Sequence, residues 1–150
     1  MKDFVYRICK NYGDKGGPFS PGYWDLPEGI RYQLREIASR HTTIKTAIFS
    51  SPSVTEDMRV TVSKLIGSKS WVCGVVEFVN FFQLFDDSTV ETLLTDHNFE
   101  IQVFKPMKPA KTAFFCTDVH KQVLFNRDKE KPFLTLRTYR EYQAFKMLNV

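Results

Sequence analysis

Cysteine and histidine are scarce in this chain, with three of each in 150 residues. Cys9, Cys73 and Cys116 are odd in number and far apart, with no CxxC pair, so neither a disulfide framework nor a cysteine-based zinc site is expected. His41, His97 and His120 are equally dispersed and form no HExxH. A phosphate-cradling loop is missing too: Gly13-Asp14-Lys15-Gly16-Gly17 has neither the spacing nor the strand-to-helix setting. No GxSxG nucleophile elbow occurs. His41-Thr42-Thr43 has the form HxT without a second copy. The spacer Ser39–Thr42 is too short for a helix-turn-helix. No apolar run approaches the roughly 20 residues that cross a bilayer. The expectation is therefore no cofactor, no metal and no membrane. Met1-Lys2-Asp3-Phe4 does not open an apolar leader, and no N-x-S/T sequon is present, so reduced thiols and a cytoplasmic location are expected.

What the chain has in quantity is phenylalanine, fourteen residues, pointing to an aromatic core or an aromatic contact surface. The densest stretch is Trp71–Phe85, WVCGVVEFVNFFQLF, where only Gly74, Glu77, Asn80 and Gln83 interrupt apolar residues. Burying each Val or Phe is worth roughly 1.5–3 kcal/mol, so the rest of the chain must wrap this segment. Four valines and a glycine favour a buried strand over Trp71–Val79, with Asn80–Phe85 bending away. A helix over the same residues is the rival, because periodicity separates buried strands from buried helices poorly. At this length a single domain over residues 1–150 is expected.

Around that core, Asp3–Lys10 reads as a short strand and the Gly/Pro-rich Asn11–Tyr23 as a loop. Asp25-Leu26-Pro27-Glu28 starts a helix to about Ser39, with Leu26, Ile30, Leu34 and Ile37 at core spacing and Arg31 and Arg35 on one exposed side. A shorter helix is expected after Thr42 or Thr43, carrying Ile44, Ala47 and Ile48. Ser53-Val54-Thr55-Glu56 caps another, with Val54, Met58, Val62, Leu65 and Ile66 on one face and a stop at Gly67. Ser88-Thr89-Val90-Glu91 caps a short helix, and Phe99–Val103 alternates as a half-buried strand. Thr112–Cys116 and Gln122–Asn126 form a hairpin, Phe133–Leu136 an edge strand behind Pro132. Thr138-Tyr139-Arg140-Glu141 opens a C-terminal helix with Tyr139, Tyr142, Phe145 and Leu148 at near-helical spacing. Without βαβ alternation the fold class is α+β: N-terminal helices on a small, mostly antiparallel sheet, with a C-terminal helix.

Charge is unevenly distributed. Residues 71–100 hold six acids and no Lys or Arg, whereas residues 101–150 hold ten Lys or Arg against four acids. In that basic third, cations interleave with rings: Lys111, Phe114, Phe115, Lys121, Phe125, Arg127, Phe133, Arg137, Tyr139, Arg140. Single-stranded nucleic acid calls for that pattern, cations for phosphates and rings for bases, although strand alternation also produces it. A dipolar chain also offers complementary surfaces to a protein partner or to a second copy.

These features support three readings. The first is a non-enzymatic protein-binding, assembly or inhibitor-like accessory module. The second is a nucleic-acid-binding protein using residues 101–150. In either case Arg127, Lys129 and Lys131 should be exposed in a turn, with Arg137 and Arg140 beside them, since Asn126–Lys131 has no apolar residue to anchor it. The aromatic loop around Phe19, Tyr23 and Trp24 is the next candidate surface. The third reading is an enzyme with a site at Cys116, Asp118 and His120, where a thiol lies near an imidazole and a carboxylate.

Overall fold

The computed structural model describes residues 3–10, 17–19, 22–40, 43, 46, 49, 54–66, 68, 70–108, 113–116 and 120–149. Six strands form one sheet: β1 (Val5–Lys10), β2 (Trp71–Val76), β3 (Phe99–Phe104), β4 (Ala113–Phe115), β5 (Gln122–Asn126) and β6 (Leu134–Leu136). Their order is β4-β5-β2-β1-β3-β6, with every pairing antiparallel. The helices among the described residues are α1 (Glu28–Ser39), α2 (Glu56–Ile66), α3 (Phe78–Leu84), α4 (Asp87–Asp96) and α5 (Tyr139–Asn149). The fold is α+β, as the sequence implies, with β1 central in the sheet rather than peripheral. None of these helices is long and apolar enough to cross a membrane.

The Trp71–Phe85 stretch is neither one strand nor one helix. It runs as β2 to Val76, breaks at Glu77 in the left-handed region (φ 69°), and continues as α3. Glu77 is the first polar residue after the valines, and the phenylalanines beyond it fall at helical spacing. Phe78, Phe81 and Leu84 thus turn back onto the sheet. Phe78 is the hub, its ring lying 5.1–6.3 Å from those of Tyr6, Phe81, Phe82, Tyr142 and Phe145. Ile30, Leu34 and Ile37 of α1 and Val90, Leu93 and Leu94 of α4 complete this core against Tyr6, Ile8, Val75, Ile101 and Val103. α2 covers the same sheet face further along, placing Val62 on Leu124 and Cys116.

The other face closes on itself. Phe104 on β3 and Phe125 on β5 have ring centroids 4.9 Å apart, although β1 and β2 lie between them. In a flat sheet strands three places apart are about 14 Å from one another, so the sheet curls towards this face. The hollow is filled by Val5, Val72, Val76, Ala113 and Val123, with Met107 across it. Gly74 makes the curl possible: a Cβ there would lie 2.8 Å from Val5 Cγ1 and 3.1 Å from Phe125 Cε1.

Several local expectations shift. β3 is buried on both faces, because Glu100 and Gln102 point into the curled side, where Gln102 Nε2 donates to Glu100 Oε2 at 2.9 Å. α1 begins one residue after Pro27, while Asp25 ends a 3-10 turn (Gly22–Asp25) instead of capping it. At α2 the Thr55 hydroxyl accepts the Met58 N–H, so the working cap is Thr55. α4 starts earlier than Ser88, with Asp86 at the cap accepting hydrogen bonds from Ser88 Oγ (2.6 Å) and Thr89 Oγ1 (2.7 Å). Leu148 is 86% exposed. It lies nine residues past Tyr139, and at about 100° per residue that is the opposite side of the helix. Of the helix expected after Thr42 or Thr43, Thr46 is helical and its N–H donates to Thr43 Oγ1 at 3.3 Å, whereas Ile44, Ala47 and Ile48, the loop 11–16 and the caps at Ser53 and Gly67 lie outside the described residues.

Candidate interaction surface

The capping box at Thr138 forms as read: Glu141 N–H donates to Thr138 Oγ1, and Thr138 N–H to Glu141 Oε1, each at 3.1 Å. That box fixes Arg137 and Arg140, both exposed, at the mouth of α5. Arg137 is not a free cation, however, because its Nε lies 3.7 Å from Oε1 of the buried Glu100. Lys129 and Lys131 are exposed as expected.

Arg127 is half-buried, which corrects the expectation of an exposed side chain. The turn is tied down through its backbone, not through apolar side chains. Arg127 N–H donates to Ser70 O at 2.7 Å, Lys129 and Glu130 N–H to Asn126 O, and Asp128 N–H to Asn126 Oδ1. Its charge is near enough to act on Arg7 and Cys9, and its Nε is buried.

The acidic middle segment is also partly neutralised within the molecule. Lys146 on α5 holds both Asp87 carboxylate oxygens at 2.9 Å while lying over the Phe82 ring. Together with Glu100–Arg137, this pair joins the acidic segment to the basic third, so the charge split of the sequence is smaller on the folded surface.

Two members of the candidate nucleophile group, Cys116 and His120, fall within the described residues. Cys116 is buried beside Val62 and Leu124, its N–H bonded to Gln122 O; His120 is half-buried in the following turn; Asp118 lies outside the described residues. Burial pushes the thiols of Cys9 and Cys73 up to about 11, with the nearby Arg7 pulling the other way. They are therefore thiols at neutral pH, poor nucleophiles and poor metal ligands. Among the described residues no three His, Cys, Asp or Glu side chains gather as a metal site.

A different surface stands out. The 3-10 turn leading into α1, closed by Leu26 N–H to Tyr23 O at 3.2 Å, leaves Trp24 77% exposed. Tyr32, one to two turns into α1, is 59% exposed. The Arg31 guanidinium sits 5.3 Å from the Trp24 ring centroid and that of Arg35 6.0 Å from Tyr32, while Tyr23 packs edge-on against Trp24 at 5.0 Å. Among the described residues neither arginine is within 4.0 Å of a carboxylate. Helical periodicity assembles the patch: Ile30, Leu34 and Ile37 face the core, so Tyr32 and Arg35 face outward, while Arg31, expected on the exposed side, is half-buried at its border with its Nε out of water. The sequence shows both components, the Arg31/Arg35 side and the Tyr23-Trp24 turn, but not that they converge.

Phe133 is a smaller counterpart, 46% exposed, with Lys105 over its ring at 5.9 Å. Its N–H is bound to Val103 O and its ring meets Phe4 at 5.3 Å, so it closes the edge of the sheet as well.

In comparisons with known proteins, no family model, no curated sequence and no solved structure matches this chain.

Proposed function

We propose that this chain is a non-enzymatic protein-binding module, an assembly subunit or inhibitor-like accessory factor. In this reading it docks an acidic surface of its partner against Trp24, Arg31, Tyr32 and Arg35. The observation that carries the reading is Trp24, more than three-quarters in water yet held in one orientation by Tyr23 and Arg31. Trp, Tyr and Arg are the residues that dominate binding energy at protein interfaces, and they act where the partner covers them from water. Two guanidiniums that rest on rings rather than on carboxylates supply charge complementarity to acids.

Nucleic acid fits this surface less well, because Arg31 and Arg35 each already cover one of the two ring faces on which a base could stack. The basic third, the other place for such binding, spends Arg137 and Lys146 on Glu100 and Asp87.

Affinity capture from the native host with the wild-type chain and with Trp24→Ala tests the proposal. A stoichiometric protein that survives nuclease treatment and is lost with Trp24→Ala is the expected result. Recovery of nucleic acid alone, or equal recovery by both chains, would overturn it. If size exclusion shows an oligomer that Trp24→Ala dissolves, the partner is a second copy of the chain.

A further inference from the structure

β1 and β2 are neighbours in the sheet, yet they pair only at Val5–Val76 and Tyr6–Val75. Beyond that point β1 follows β3 as far as Lys10, and β2 follows β5 as far as Trp71. The sheet therefore splits in its middle. Arg7 stands opposite Gln102 on the curled face, and its Nη1 ties the two edges of the split together by donating to Cys73 O at 2.8 Å. Its charge belongs to that face, across the sheet from Phe81, Leu84 and Phe85.

On the helix-covered face the split leaves a cavity of about 420 Å³, between the diverging strands and the C-terminal ends of α1 and α3. Ile8, Val75, Phe81, Leu84 and Phe85 form most of its wall, and the Phe19 ring lies 6.1 Å from that of Phe85. Apart from Arg7, the polar side chains among the described lining residues are Tyr6, Thr43, Cys73 and Gln122. All four are neutral at neutral pH: burial pushes the Tyr6 hydroxyl up to about 12 and the Cys73 thiol up to about 11, and the other two do not titrate. Protein interiors are close-packed, with few voids larger than a water molecule. An apolar cavity holds water poorly and takes up apolar molecules instead. This one falls within the roughly 300–1,000 Å³ of small-molecule sites.

We propose that this cavity binds an uncharged, largely apolar small molecule, its body against the phenylalanines. A carboxylate would lose its hydration there, with the Arg7 charge turned to the opposite face. An ammonium group would lose as much and find no acid among the described lining residues. The site is separate from the Trp24 surface and stands independently of it.

Isothermal titration of the full chain with decanol, and separately with decanoate and decylamine, tests the assignment. Decanol is expected to bind, and the two charged chains of the same length about tenfold or more weaker, since each must shed its hydration to enter. Nuclear Overhauser contacts from the decanol chain to the Phe19 and Phe85 rings should locate it in the wild-type protein. Ala38 lies exposed at the rim of the cavity, so Ala38→Trp should close it without disturbing the fold. That variant should keep the wild-type circular dichroism and lose decanol binding. No decanol binding to the wild type, ring contacts confined to other phenylalanines, or undiminished binding to a folded Ala38→Trp chain would overturn the cavity assignment. Decanoate or decylamine binding as tightly as decanol would overturn the assignment to an uncharged ligand.

Discussion

Two surfaces of this molecule carry the same chemistry, arginines beside aromatic rings, and they have different structural roles. Around α5 and the turn after β5 the cations are drawn into the fold: Arg137 towards Glu100, Lys146 to Asp87, and Arg127 half-buried. Around the start of α1, Arg31 and Arg35 lie on Trp24 and Tyr32, and among the described residues they hold no acid. Composition alone would rank the first surface higher, because it has more charge. We propose the second as the binding surface, because among the described residues its arginines pair with no carboxylate and its largest ring is in water. A cation contributes to recognition only insofar as the fold has left it unengaged.

Substitutions can break this contrast. The largest effect is expected from Trp24→Ala combined with Arg31→Ala: partner affinity should fall about thirtyfold or more, since removing one central interface residue costs about 2 kcal/mol or more. Chemical denaturation of the same double variant should show a midpoint close to wild type. Arg127→Ala should do the reverse, lowering stability by about 1 kcal/mol through lost packing of its half-buried stem, with partner affinity intact. Thr138→Ala, which removes the α5 cap, should also cost about 1 kcal/mol in a denaturant melt.

A fourth expectation concerns the acidic segment and pH. Burial tends to raise the Asp86 carboxyl, but hydrogen bonds from the Ser88 and Thr89 hydroxyls outweigh it and hold the pKa below the ordinary value of 3.8. A depressed carboxyl stabilises the fold fully above its unfolded pKa and ceases to do so as pH falls through the folded value. Thermal melts below about pH 4 should therefore steepen in their pH dependence for wild type relative to Asp86→Asn. The smallest effect belongs to Lys129→Glu with Lys131→Glu. Both side chains are exposed, so stability should move by no more than about 0.5 kcal/mol and partner affinity should not change.

Periodicity made much of the fold legible. Ile30, Leu34 and Ile37 declare the inner side of α1, and the Thr138–Glu141 box and the β4–β5 hairpin form where their residues place them. Trp71–Phe85 was harder, because a strand and a helix buried on all sides read alike until Glu77 takes a positive φ. The charge split misled for a related reason: acids and bases far apart in sequence meet across β3–β6 and α4–α5, and no local pattern encodes that. Of the candidate surface, the outward side of α1 was visible and its union with Trp24 was not. The split between β1 and β2 had no local signal, although the lone Gly74 among valines marks the close approach beside it.

The most direct test of the central claim is site-specific photo-crosslinking in the native host, with a photoreactive residue placed at Tyr32 in one chain and at Lys129 in another. Both positions are exposed, so both report on contacts without disturbing the core. A discrete, nuclease-resistant protein adduct from position 32 and none from position 129 is the expected result. An adduct from position 129 alone, or one from position 32 that nuclease removes, would contradict the assignment of the Trp24 surface to a protein partner.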